Sequence, residues 1–130
     1  MSPEDTLTER NRAVVLDFVD LFYRQRRVRE AFEKHIGDPY VQHNPNILDG
    51  REAAIVALEP KFSAPGAQFD VKRVLVDGDL AMVHLHARLS PGSPGGAVAD
   101  LFRLADSKIV EHWDILQPVP ENCANPHPMF

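Results

Sequence analysis

The chain predicts an α+β fold, with helices first and a mostly antiparallel sheet after them. Three observations carry this. Apolar residues recur at helical spacing as far as Phe62. From Gln68 the apolar period changes to two. Turn signals then recur at Asp77-Gly78-Asp79, Ser90–Gly96 and Asp106-Ser107. At 130 residues the chain reads as one domain, residues 1–130, with about 1–9 and 118–130 as irregular terminal segments.

The first helix is marked by Val14, Val15, Phe18, Leu21 and Phe22 on one face, and Thr6 or Thr8 can cap its start. A short second helix runs from about Val28 to His35, and Gly37 is expected to stop it. Asp38 to His43 reads as extended or irregular, and Asn44-Pro45-Asn46 as a turn. The third helix, about Arg51 to Phe62, contains Pro60, which should break or kink it. Four strands complete the chain. The first, with Phe69, Val71, Val74 and Val76, carries an irregularity; Leu80–Leu89, Ala97–Leu104 and Lys108–Gln117 follow.

The last two strands hold the chemistry. Folding them about Ser107 sets Asp100 opposite Asp114 and Phe102 opposite His112. Charges are costly to bury without partners, so this face must be wet, paired or functional. A loop centred near Ser93 would add His86 beside Asp100 and His84 beside Phe102, gathering His84, His86, Asp100, His112 and Asp114. A slip of one residue would scatter the set. The other face carries Val83, Leu85, Leu101, Ile109, Trp113 and Ile115, with Glu111 and Arg103 as a cross-strand pair. A sheet with two apolar faces needs two covers. The helices supply one, and the outer face is then a homodimer surface or a bed for the C-terminal tail.

Composition narrows the function. Apolar content of 44% and charged content of 25% are ordinary for a globular protein. The net charge of −5 leaves no basic footprint for nucleic acid. The single cysteine, Cys123, excludes an intrachain disulfide and a thiol metal cluster, and no clear activating base marks it as a nucleophile. No apolar run approaches the roughly 20 residues that span a bilayer, and the acidic, polar start does not fit a secretory signal. A cytoplasmic protein with no membrane partner is the expectation.

Tyr40-Val41-Gln42-His43-Asn44-Pro45, Asp49-Gly50-Arg51-Glu52, Asp77-Gly78-Asp79, Asp100-Leu101-Phe102-Arg103-Leu104 and Glu111-His112-Trp113-Asp114 together resemble the SnoaL-like polyketide cyclases of the nuclear transport factor 2-like superfamily. The resemblance runs from about Arg10 to the end of the chain. It implies a cone-shaped α+β barrel enclosing a pocket for a hydrophobic small molecule, and a homodimer formed through the sheets. It also implies intramolecular aldol chemistry without metal or organic cofactor, with Asp114 as acid/base. Asp100 and His112 are its catalytic companions. Tyr40, Gln42, His43, Asn44, His84, His86 and Phe102 are candidate substrate-binding residues. A carboxylate in a mostly apolar pocket can both accept and return a proton.

Other readings compete. A non-catalytic small-ligand binding protein would use the same scaffold. The related ketosteroid isomerases would place their base near Asn44, where an amide cannot take a proton, and their helix-one tyrosine has no counterpart because Tyr23 sits too late. Epoxide hydrolases of the limonene type need an arginine where Val98 stands, though Arg88 can in principle reach in. A zinc or iron site built from His43, His84, His86, His112 and the two aspartates is chemically conceivable. The bland reading of Asp114 and Asp100 is as structural partners of histidines or backbone amides.

Overall fold

A computed structural model of the chain describes residues 2–130. Helix α1 spans Pro3–Val19, a π turn Asp20–Arg24, helix α2 Val28–His35, strand β1 Ile36–Gln42 and helix α3 Arg51–Phe62. Strands β2 (Gln68–Asp77), β3 (Leu80–Arg88), β4 (Gly96–Ala105) and β5 (Lys108–Pro118) follow. They form one five-stranded sheet in the order β1-β5-β4-β3-β2. The β2–β5 pairs are antiparallel, while β1 runs parallel to β5. The fold is therefore α+β with a mixed sheet. The sheet is open, with β1 and β2 at its edges, so it is not a closed barrel.

Three local expectations are corrected. Helix α1 begins at Pro3, so residues 3–9 are helical rather than irregular; Met1 lies outside the described residues. Its cap is Ser2, in a reciprocal box with Asp5, and Pro3 fits the first turn because its missing N–H would have no partner there. Thr8 instead accepts the Gly78 N–H at 2.8 Å, and Asn11 Nδ2 donates to the Gly78 carbonyl at 2.8 Å, so α1 grips the β2–β3 turn. Helix α2 ends at His35, before Gly37. Gly37 lies inside β1, where a Cβ would come within 3.1 Å of Val110 Cγ1. Helix α3 runs through Pro60 to Phe62. Proline this close to a C-terminus deprives only the Val56 carbonyl, on an exposed residue, of its helical partner.

The helices cover one sheet face and bury a largely aromatic core. Phe18 meets Phe102 edge-on at 5.5 Å, Phe22 stacks on Phe62 at 4.3 Å, and Phe62 stacks on Phe69 at 3.9 Å. Such pairs add about 0.5–1.5 kcal/mol each beyond the area they bury. The π turn matters most here. Its wider spacing buries three consecutive residues, Leu21, Phe22 and Tyr23, where a regular helix would turn one of them away.

The β4–β5 pairing matches the expected hairpin, with Asp100 opposite Asp114 and Phe102 opposite His112. Asp106 and Ser107, both at positive φ, form its two-residue turn. The β3–β4 register does not match. Asp100 lies opposite Val83, and His84 and His86 lie opposite Ala99 and Ala97. The expected partner was His86, three residues further along, and an odd shift exchanges the two faces. A bulge between Arg103 and Leu104 also carries Ile109 to the core, where it is fully buried. Val83, Leu85 and Ile109 thus belong to the inner face.

The outer face is correspondingly more polar, and the tail lies on it. The Phe130 ring stacks on His86 at 4.3 Å. His84, Ala99 and Ile115 of the sheet share a groove with Pro120, Cys123 and Met129. No helix among the described residues is long and apolar enough to cross a membrane.

Candidate functional site

The helices and the inner sheet face enclose a cavity of about 420 Å³. Its walls are mainly apolar and include Phe22, Phe32, Phe62 and Phe102. Polar groups converge in it from three elements: Tyr23 from the π turn, Tyr40, Gln42 and Asn44 from β1 and the loop after it, and Asp100, His112 and Asp114 from the β4–β5 hairpin. An apolar cleft with a few convergent polar groups is the usual form of a small-molecule site.

All of these groups except Tyr40 form one hydrogen-bonded chain. Tyr23 donates its hydroxyl to Asp100 Oδ2 at 2.5 Å. Asp100 Oδ1 lies 2.9 Å from His112 Nε2, and His112 Nδ1 lies 2.7 Å from Gln42 Oε1. That amide oxygen also accepts the Asn44 backbone N–H at 2.9 Å. Asn44 Nδ2 donates to Asp114 Oδ2 at 2.7 Å, and Asp114 Oδ2 is 3.8 Å from His112 Nε2. Asp100 and His112 are buried, while Asp114 is more open.

The loop after β1 holds the amides in place. Asp49 accepts the Gln42 N–H at 2.8 Å, the Gly50 N–H donates to the Tyr40 carbonyl at 2.9 Å, and Asn44 Oδ1 accepts the Asn46 N–H at 2.9 Å. The His43 N–H donates to the His112 carbonyl at 3.0 Å, pinning the loop to β5. Burial, with the negative Asp100 next to it, pushes the Tyr23 phenol far above its ordinary value, so Tyr23 stays a donor. Burial likewise raises Tyr40, with Asp100 and Asp114 adding to the effect and Gln42 opposing it.

Seven of the ten expected site residues line the cavity: Tyr40, Gln42, Asn44, Asp100, Phe102, His112 and Asp114. Three do not. His84 meets Arg73 and His86 meets the Pro94 carbonyl, both on the outer face, because of the β3–β4 register. His43 is turned outward, stacked on Trp113 at 4.8 Å and bonded to Glu111 at 2.7 Å. The expected Glu111–Arg103 pair is present at 2.7 Å.

The dispersal removes the histidine-rich metal set. Asp100, His112 and Asp114 still bring one ligand atom each within 4.8 Å of one another. Each of the three is also hydrogen-bonded within the protein, His112 Nε2 with Asp100 Oδ1 at 2.9 Å and Asp114 Oδ2 with Asn44 Nδ2 at 2.7 Å. Arg88 shares the outer face with His84 and His86 and does not line the cavity, so an arginine-assisted epoxide site lacks its cation.

Tyr23 is the polar cavity residue that sequence reasoning misses. Its late position argues against it, yet the π turn delivers its hydroxyl to Asp100. A signal is present in the chain: Leu21-Phe22-Tyr23 is a run of three large apolar side chains that no α-helical stripe can bury together.

Residues 7–112 match the SnoaL-like domain. The chain therefore belongs to this family, within the nuclear transport factor 2-like superfamily. Solved structures agree on the fold. A nuclear transport factor 2-like protein of unknown function from Mesorhizobium loti superposes with a TM-score of 0.73 at 21% identity, over 85% of this chain and 93% of that one. A protein provisionally called a ketosteroid isomerase from Kribbella flavida gives 0.72 at 21% identity, over 91% and 85%. One provisionally called a SnoaL-like polyketide cyclase from Jannaschia gives 0.63 at 22% identity, over 89% of each chain. No curated protein matches the chain.

Proposed function

We propose that the protein is an enzyme performing acid/base, aldol-type chemistry on a hydrophobic, carbonyl-bearing small molecule held in the cavity, with Asp114 as the acid/base. The observation that carries this reading is the setting of Asp114. It lines a mainly apolar cavity, and its Oδ2 is held by Asn44. Among the described residues its Oδ1 takes no hydrogen bond, which leaves that oxygen for a ligand C–H.

The step balances without an outside reagent. Asp114 takes the proton from the carbon α to a carbonyl. The enolate carbon attacks a second carbonyl of the same molecule, a C–C bond forms, and the negative charge passes to that carbonyl's oxygen. The protonated Asp114 then gives its proton to the alkoxide. The one proton held between Asp100 and His112 Nε2, with Tyr23 behind it, is the hydrogen-bond donor available to the developing oxyanion.

The Tyr23–Asp100 contact favours a second reading, double-bond migration of the ketosteroid isomerase type, in which a tyrosine and a carboxylic acid together face an oxyanion. The base position near Asn44 is then served by Asp114, which Asn44 touches.

One experiment tests the shared step. A panel of aryl β-keto esters and β,γ-unsaturated ketones is incubated in D₂O, and deuterium at the α carbon is followed by NMR. Wild-type protein should catalyse exchange. Asp114→Asn should lower it about 100-fold or more while ligand affinity holds, the scale expected of a positioned base. Tight binding without exchange would instead establish a ligand-binding protein. Migration of the double bond would select the second reading.

A further inference from the structure

We infer that Gln42 is a positioning residue that locks His112 in the tautomer carrying hydrogen on Nδ1, leaving the Asp100–His112 contact with a single mobile proton. Geometry alone leads there. A glutamine amide presents either oxygen or nitrogen, and the two ends are told apart only by their partners. The end facing His112 also faces the Asn44 backbone N–H at 2.9 Å. A backbone N–H can only donate, so this end is the oxygen. An amide oxygen can only accept, so His112 Nδ1, 2.7 Å away, must carry hydrogen.

The other side of the ring is then constrained. Tyr23 donates to Asp100 Oδ2. The remaining contact, Asp100 Oδ1 to His112 Nε2 at 2.9 Å, needs one proton. Two states satisfy it: imidazolium with carboxylate, or Nδ1–H imidazole with carboxylic acid. The neutral tautomer with hydrogen on Nε2 alone sets the Nδ1 lone pair against the Gln42 oxygen. Ring orientation is fixed as well, because Phe102 lies against the imidazole at 5.1 Å between centroids. The titratable groups around this line are Tyr23, Tyr40, Asp100 and Asp114.

The consequence for the site is directional. Asp114 Oδ2 is 3.8 Å from Nε2, so proton exchange between Asp114 and the buried pair must run through Nε2 and never through Nδ1. That consequence in turnover rests on the function proposed above. The tautomer does not, and it is read without any ligand.

The test is ¹⁵N–¹H correlation NMR of His112 in the ligand-free protein across a pH series. In wild type the Nδ1 proton should persist throughout, and any proton lost should come from Nε2. Gln42→Leu keeps the bulk and removes the acceptor, and should let the neutral ring populate the Nε2–H form. Gln42→Glu restores an acceptor at that place and should restore the Nδ1 proton. A wild-type His112 neutral with hydrogen on Nε2 would overturn the proposal even if neither variant folded. So would an unchanged tautomer in folded Gln42→Leu. Failure of α-proton exchange with the tautomer intact would count against the enzymatic reading and leave the lock standing.

Discussion

Tyr23 and Asp100, 77 positions apart in the chain, meet hydroxyl to carboxylate at 2.5 Å in the wall of the cavity. The contact ties the helical layer to the middle of the sheet through one polar bond inside an aromatic core. It also makes the tyrosine the far end of a chain of donors that reaches Asp114. The consequences of that chain can be measured one residue at a time.

Tyr23→Phe removes one of the two side-chain hydrogen-bond partners of Asp100 and adds nothing in its place. A buried carboxyl left short of a donor costs about 1–3 kcal/mol. The denaturation midpoint should fall accordingly in urea, and α-proton exchange should fall with it. Equal stability of the two proteins would show that Asp100 does not depend on the phenol.

Asn44→Ala releases Asp114 Oδ2 from its 2.7 Å bond. Hydrogen bonds to charged groups contribute about 1.5–3 kcal/mol, which corresponds to a loss of about tenfold or more in exchange if that oxygen must be oriented. Affinity for the ketone should change less than the rate. A drop in affinity alone would assign Asn44 to ligand binding and free Asp114 from its control.

The outer face offers a pH-dependent test. His43 first, then Arg103, hold the Glu111 carboxyl below its ordinary value of 4.5. A carboxyl depressed in the folded state stabilises it above the unfolded value, and the effect is lost as pH falls through the folded value. Glu111→Gln should therefore be less stable than wild type at about pH 7, and the gap should close as the pH falls through the depressed folded-state value. A gap that persists in acid would place the effect in packing rather than in charge.

A dimer formed through the sheets would have to displace the tail from the outer face. Phe130 on His86, and Pro120 and Met129 along the groove, occupy part of the face that a sheet-to-sheet dimer would use. Deleting residues 120–130 should shift the chain toward a dimer in sedimentation velocity relative to the full chain. A monomer in both forms would end the case for self-association through this face.

Legibility of the fold and site in the sequence depends on loop length. The β4–β5 hairpin turns at two residues, so the pairing of Asp100 with Asp114 follows from the position of Asp106-Ser107. The β3–β4 connection is long and rich in glycine and proline, with Gly92 and Gly95 at positive φ, and its centre is not marked by any residue. Misplacing it by an odd number of residues sends His84 and His86 to the wrong face. Ile109 is displaced by a bulge, which no alternation pattern announces. Tyr23 is hidden for as long as the first helix is taken to be regular. The amides Gln42 and Asn44 are legible as pocket residues, but their mutual bond depends on the loop that Asp49 closes.

The π turn has a further meaning. It closes with the Gln25 N–H on the Asp20 carbonyl at 2.9 Å, one residue longer than an α-helical turn. The reach of Tyr23 to Asp100 is therefore set by chain length as much as by side-chain identity. Losing Leu21, which does not line the cavity, would restore ordinary helical spacing and rotate the residues that follow it by about a quarter turn. Such a deletion would take the Tyr23 hydroxyl away from Asp100 without changing a single site residue, a failure invisible to any inventory of the site.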